Sequence, residues 1–237
     1  MVKMNSIHGF YQAIAPRYSD FLAVIKGDFR GFRDLERSLL GGISCSKVYY
    51  VGVGESSNIA VLASRNNNVL GIDFSGNMLA ESRRNLQQHG ISHAQAQSIS
   101  ANPLTKERLD KLFEETAVLL FHGDAKDISL PEKYFDASVI YCTLPNMSEE
   151  TQAKVLETMQ RASQRVLISV YRPESLEQVL AAYQEIGEDG QVEVDALRLE
   201  NGLVYRVVPS ARLKKIFEGW ELRMHEHPFG LVYDFTP

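Results

Sequence analysis

Cysteine is scarce in this chain: 237 residues hold two, Cys45 and Cys142. They form no disulfide framework and have no metal-ligand spacing, so the expectation is a reduced, cytoplasmic protein with no metal. No apolar run approaches the ~20 residues of a membrane-crossing helix, and no membrane partner is expected. The opening, MVKMNSIHGFYQAIAP, is too polar for a secretory leader. Positive charge is in deficit, with 25 Lys and Arg against 30 Asp and Glu. Phosphate contacts need a basic face, so no nucleic-acid partner is expected. Repeats, low-complexity tracts and a separating linker are also missing. What remains is an ordinary globular composition, 44% hydrophobic and 23% charged. The length suits one α/β domain with a sizeable core, as a monomer or homodimer.

Two nucleotide signatures are absent as well. No G-x-x-x-x-G-K-[ST] occurs, and G-x-G-x-x-G fails because its third position, counted from Gly52, is Ser57. Yet residues 47–79 still read as strand, glycine turn, helix, strand and acid. The run Val48-Tyr49-Tyr50-Val51 stops at Gly52-Val53-Gly54, and a second strand ends at Asp73. Glycines let backbone approach a ligand, and a carboxylate at a strand tip can accept from both ribose hydroxyls. A turn and an acid without a phosphate cradle suit a phosphate-free nucleoside such as S-adenosylmethionine.

Three blocks, VGVG at 51–54, GIDFSGNML at 71–79 and HGDAKDISLPEKYFDASVIYCTLPNM at 122–147, resemble the class I S-adenosylmethionine-dependent methyltransferases. The resemblance spans roughly residues 45–172. It implies a Rossmann-like α/β fold: seven mostly parallel strands, an antiparallel C-terminal strand, helices on both faces and an N-terminal helical lid. A single domain is expected, with the lid at 1–42, the cofactor core at 43–172 and a C-terminal helix with closing strands at 173–237. The cofactor it implies is S-adenosylmethionine, held by Gly52, Val53, Gly54, Glu55, Asp73, Phe74, Met78, Asp124, Ala125, Tyr141 and Cys142. Asp73 would take the ribose, and Asp124 with Ala125 would flank the adenine. Two positions depart from the family pattern. Tyr50 stands where an acid is usual, and Ser56 where G-x-G-x-G has its last glycine.

Along the chain, Ile7, Phe10, Tyr11, Ile14 and Tyr18 recur at helical spacing, with Pro16 breaking or restarting the pattern, and Phe21, Leu22, Ile25, Phe29, Phe32, Leu35 and Leu39 form a second stripe. Ser75 and Ser148 read as N-caps of helices over 75–90 and 148–163. Residues 91–116 read as an insertion, a polar loop over 93–102 followed by a helix over 106–115. Strands are expected over 117–121, 135–141 and 165–170, and a helix over 174–186. Residues 192–208 form an extended stretch with a hairpin at Asn201-Gly202. Ser210 is the expected cap of a short helix, and 222–233 a last strand, breakable at Pro228.

Methyl transfer needs in-line geometry, water exclusion and, for some acceptors, a base. Candidate catalytic residues are Tyr11, Tyr18 and His227, with packing as the alternative for the tyrosines. His225 and His227 fall two apart on a strand face, and His8 is a further candidate base. For a small-molecule substrate the candidates are Thr143, Asn146, Arg172 and Arg206, the arginines as carboxylate binders. Segment 143–146 reads T-L-P-N rather than N-P-P-Y, which argues against methylation of nucleic-acid adenine or of glutamine. The leading function is methylation of an oxygen or nitrogen of a small molecule. The alternative is a non-catalytic methyltransferase-like module that binds a partner protein.

Overall fold

Strands buried on both faces are continuous apolar runs, and five such runs make the centre of this molecule. In the computed structural model, residues 7–18, 26–96 and 104–237 are described. The runs are β1 (Lys47–Val51), β2 (Asn68–Asp73), β4 (Val118–His122), β5 (Ala137–Tyr141) and β6 (Val166–Tyr171), all parallel to one another. Their side chains alternate between two cores. Val48 and Tyr50 enter one and Tyr49 and Val51 the other.

Among the described residues the sheet has eight strands, ordered β10-β11-β6-β5-β1-β2-β4-β3. Its left end is a hairpin of β10 (Glu221–Glu226) and β11 (Gly230–Thr236), and β11 alone runs against the direction of the other seven strands. The break at Pro228 is the turn of that hairpin, because proline cannot donate to a ladder. The right end is β3 (His93–Ala96), paired parallel with β4 from His93↔Val118 to Ala96↔Phe121. The sheet therefore exceeds the expected seven strands, and the expected loop at 93–102 begins as a strand. An edge position needs pairing on one side only, so a polar stretch can occupy it. Residues 97–103 lie outside the described region.

Helices cover both faces. On one side lie α1 (Ile7–Ile14), α2 (Gly27–Gly41), α3 (Ser57–Ala63), α4 (Gly76–Gln88) and α7 (Leu176–Glu185). On the other lie α5 (Lys106–Glu115), α6 (Glu149–Ala162) and α8 (Ser210–Ile216). Ser75 and Ser148 cap as expected, their hydroxyls accepting from Met78 N at 3.2 Å and Thr151 N at 3.3 Å. Ser210 does not cap. It is the first residue of α8, preceded by Pro209, and its hydroxyl bonds the Tyr233 hydroxyl instead. Pro16 sits in a 3-10 turn that ends α1.

The buried face of α2 is rotated from the expected stripe. Phe29, Phe32, Glu36 and Leu40 are buried, whereas Leu35 and Leu39 are only half-buried. The spacing 29, 32, 36, 40 follows the 3.6-residue period more closely, even though it carries a carboxylate inward. Phe21, Leu22 and Ile25 of that stripe fall outside the described residues. A second sheet of β7 (Gly190–Val192), β8 (Ala196–Leu199) and β9 (Val204–Arg206) contains the expected Asn201-Gly202 turn, with Gly202 at φ +94°.

The left edge is pinned by Arg165, which donates Nε to Asp234 Oδ1 at 2.8 Å and Nη2 to Oδ2 at 2.9 Å. Asp234 is 7% exposed. Arg165→Ala should lower unfolding free energy by about 1–3 kcal/mol in chemical denaturation, by leaving a buried carboxylate short of donors. The lower end is expected because the guanidinium is partly solvated.

Candidate active site

In open parallel sheets ligands collect at the carboxyl ends of strands, where the strand order reverses. Here the chain runs from β1 through β2 to β3 at the edge, comes back to β4 between those two, and then crosses to β5 on the other side of β1. A cavity of about 510 Å³ opens at that reversal, a size that suits a small organic ligand.

Its floor is the turn after β1. Gly52 adopts φ +75°, and a Cβ there would lie 2.2 Å from Thr143 Oγ1. Gly54 adopts φ +57° and Ser56 φ +70°. Ser56 thus takes the left-handed conformation that a third glycine would favour, and its hydroxyl bonds Ser82. The turn keeps its glycine-like path at a conformational cost of about 1–2 kcal/mol. Glu55 braces it: its carboxylate accepts from Ser57 N at 2.8 Å and from Asn85 Nδ2 at 2.7 Å.

Asp73, at the tip of β2, closes over the turn. Its Oδ2 accepts from Gly54 N at 3.1 Å and its Oδ1 from Ser75 N at 2.8 Å. Burial pushes its carboxyl up to about 6, against the opposing pull of those two amides and of His122. It is ionised at neutral pH, and each oxygen keeps acceptor capacity for a further hydroxyl. His122 donates Nε2–H to the Phe74 carbonyl at 3.1 Å. Beyond β4, Asp124 caps the turn Ala125–Asp127 and pairs with Lys126 Nζ at 2.6 Å.

The other wall is aromatic. Tyr11 and Tyr18 from the N-terminal region, Tyr171 and Tyr205 face the same space. Tyr11 meets Phe74 edge-on, with centroids 5.7 Å apart. Its hydroxyl lies 3.3 Å from the Tyr205 hydroxyl and accepts from Asn146 Nδ2 at 3.2 Å. Burial raises the Tyr11, Tyr18, Tyr171 and Tyr205 phenols, so they stay protonated and serve as donors and acceptors rather than bases.

All eleven residues assigned to the cofactor line this one cavity, as do Tyr11, Tyr18, Thr143 and Asn146. The remaining three candidates are placed elsewhere. His227 sits in the β10–β11 turn, with its ring against Phe32 and its Nδ1 accepting from Phe229 N at 3.2 Å. His225 lies in β10, 3.8 Å from Asp234, so the two histidines share no strand face. Arg172 is spent on Glu226 at 2.8 Å and on the His227 carbonyl at 2.9 Å. Arg206 is exposed on β9, outside the cavity. His8 belongs to α1, but its side chain lies outside what is described.

Sequence reasoning missed Arg33 and Asn58, which also line the cavity. Tyr50, where the resemblance expects an acid, is buried, and its hydroxyl accepts from Asn58 Nδ2 at 2.8 Å. Arg33 had a readable signal. It lies on the helix face of Phe29, Glu36 and Leu40, a charge where an apolar residue would be usual.

Residues 49–166 match a family model described as a methyltransferase domain. The fold resembles magnesium protoporphyrin IX methyltransferase of Synechocystis PCC 6803 with bound SAH at TM-score 0.62 and 14% identity, over 97% of each chain. A DhpI–SAH complex superposes at TM-score 0.59 and 20% identity, over 99% of this chain and 97% of that one. Burkholderia thailandensis 1,6-didemethyltoxoflavin-N1-methyltransferase, solved with that substrate and S-adenosylhomocysteine, gives TM-score 0.52 at 14% identity, over 98% and 90%. No curated protein sequence matches the chain. With the matched domain, the fold and the glycine-turn and acid geometry agreeing, the chain belongs to the class I S-adenosylmethionine-dependent methyltransferase superfamily.

Proposed function

We propose that this protein transfers a methyl group from S-adenosylmethionine to an oxygen or nitrogen of a small-molecule acceptor. The observation that carries the reading is the Asp73 carboxylate, fixed across the Gly52–Gly54 turn by the Gly54 amide with acceptor capacity to spare. The residues present fit the cofactor: a glycine path with no room for a Cβ at Gly52, a ribose acid, and polar groups beyond the turn. When bound, S-adenosylmethionine supplies an electrophilic methyl on a sulfonium.

In this reading Asp73 grips the ribose hydroxyls, Asp124 and Ala125 border the adenine, and Met78 lies beside the turn. Tyr11, Tyr18, Thr143 and Asn146 position the acceptor and exclude water. The acceptor class is supported by the enclosed aromatic wall and by neighbours that act on protoporphyrin and didemethyltoxoflavin. No helix among the described residues is long and apolar enough to cross a membrane.

Calorimetric titration with S-adenosylhomocysteine tests the cofactor, and transfer of labelled methyl into a panel of amines, phenols and N-heterocycles tests the chemistry. Absence of binding sinks the reading. Binding without transfer to any acceptor supports the second reading, a non-catalytic module, which Tyr50 in the place of the usual acid favours.

A further inference from the structure

Arg33 is a charged side chain only 15% exposed, at the wall of the cavity. Its ion partner among the described residues is Glu36, a fully buried carboxylate one helical turn on, with Oε2 2.7 Å from Nη1. That contact is not aligned as a hydrogen bond, since Glu36 Oε2 counts among the buried polar atoms with no hydrogen-bond partner. The other Glu36 oxygen is taken by the Ser169 hydroxyl and by Cys142 Sγ at 3.4 Å. No hydrogen bond joins the guanidinium to any described residue. None of its nitrogens is among the sealed, unsatisfied atoms, so the unfilled donors open onto the cavity.

A guanidinium carries five N–H groups in a planar fork that matches a carboxylate two-for-two. Burying such a group with its donors unused is costly, and the counter-charge of Glu36 offsets only the Coulombic part. Glu36 also limits the site to about one negative charge. Asp73, Asp124 and Glu55, which line the same cavity, act against a dianion such as a phosphate.

From this we infer that Arg33 is the carboxylate-binding residue of the cavity. The inference rests on the methyltransferase reading above and adds to it. The carboxylate has two possible sources there: the methionine end of the cofactor, or an acidic acceptor. Position 50 gives the first source a physical interest. With Tyr50 in place of an acid, the cofactor's amino-acid end would be gripped through its carboxylate rather than through its ammonium.

Titrations of wild type and Arg33→Gln separate the sources. The first pair of probes is S-adenosylhomocysteine and 5′-methylthioadenosine, which share nucleoside and thioether but differ in the amino-acid end. The second pair is benzoate and benzamide, added to protein saturated with S-adenosylhomocysteine. A cofactor carboxylate predicts that Arg33→Gln weakens S-adenosylhomocysteine at least about tenfold, with methylthioadenosine within about twofold. An acceptor carboxylate predicts that benzoate, not benzamide, binds wild type and is lost about tenfold in the variant. Arg33→Lys, which keeps charge without the fork, should fall between. Methylthioadenosine affinity reports whether the variant is folded, and Arg33→Gln with Glu36→Gln keeps the core neutral if the single change unfolds it. If neither pair responds to Arg33, the inference is overturned while the methyltransferase reading stands. If wild type binds neither nucleoside, that reading fails and this one with it.

Discussion

Asp73→Ala is expected to raise the Kd for S-adenosylhomocysteine by at least about a hundredfold in calorimetric titration. Charge-assisted hydrogen bonds are worth about 1.5–3 kcal/mol each, and in the proposed pose the carboxylate makes two to the ribose. The change also removes the acceptors of Gly54 N and Ser75 N, so the turn loses its clasp to β2. Unchanged affinity would refute the ribose role. The same group predicts a pH profile. Its carboxyl titrates at about 6 in the unliganded protein because burial outweighs its two amide donors. Ligand binding favours the ionised form, so Kd should rise about tenfold per unit as pH falls below that value. In Asp73→Asn this slope should vanish. Stability moves the other way. A carboxyl raised by folding binds more protons in the native than in the unfolded state, so its stabilising contribution is present at low pH and lost as pH rises through about 6. Unliganded wild type should therefore gain on Asp73→Asn in thermal unfolding as pH is lowered from neutrality.

Gly52→Ala should be the most damaging small substitution in the turn. The new Cβ would meet Thr143 Oγ1 at 2.2 Å and Thr143 Cβ at 2.8 Å, and the backbone sits at φ +75°. Overpacking costs about 1–3 kcal/mol and the left-handed conformation about 1–2 kcal/mol more. For a chain of this length, that total corresponds to a fall in Tm of roughly 5–15 °C without any ligand. Gly54→Ala is the control. Its φ is +57° but the nearest atom to a Cβ is 3.9 Å away, so only the conformational cost of about 1–2 kcal/mol applies. Equal losses in the two variants would mean that Thr143 does not constrain the turn.

The cofactor end was legible in the sequence because its requirements are local. A glycine turn, a strand-tip acid and an Asp-Ala turn each occupy a few consecutive residues, and parallel pairing delivers them to one rim. The acceptor end was legible only in part. Helical spacing marks Tyr11, but its contact with Asn146 depends on long-range packing that no local pattern encodes. Arg172 and Arg206 are conspicuous as cations, whereas it is Arg33 that lines the cavity, carried on a helix whose apolar stripe masks it. The strand at His93–Ala96 leaves no mark in the sequence because an edge strand needs no apolar signature.

One feature of the wall bears on how such an enzyme could diversify. Asn146 reaches Tyr11 across 135 positions of sequence, and Tyr11 reaches Tyr205 across 194. In the proposed pose the acceptor side is thus assembled from the N-terminal region, the middle and the C-terminal third of the chain, while the ribose clasp lies within one continuous βαβ segment. Mutations can accumulate in the former, remodelling substrate range, and leave the donor machinery inherited intact.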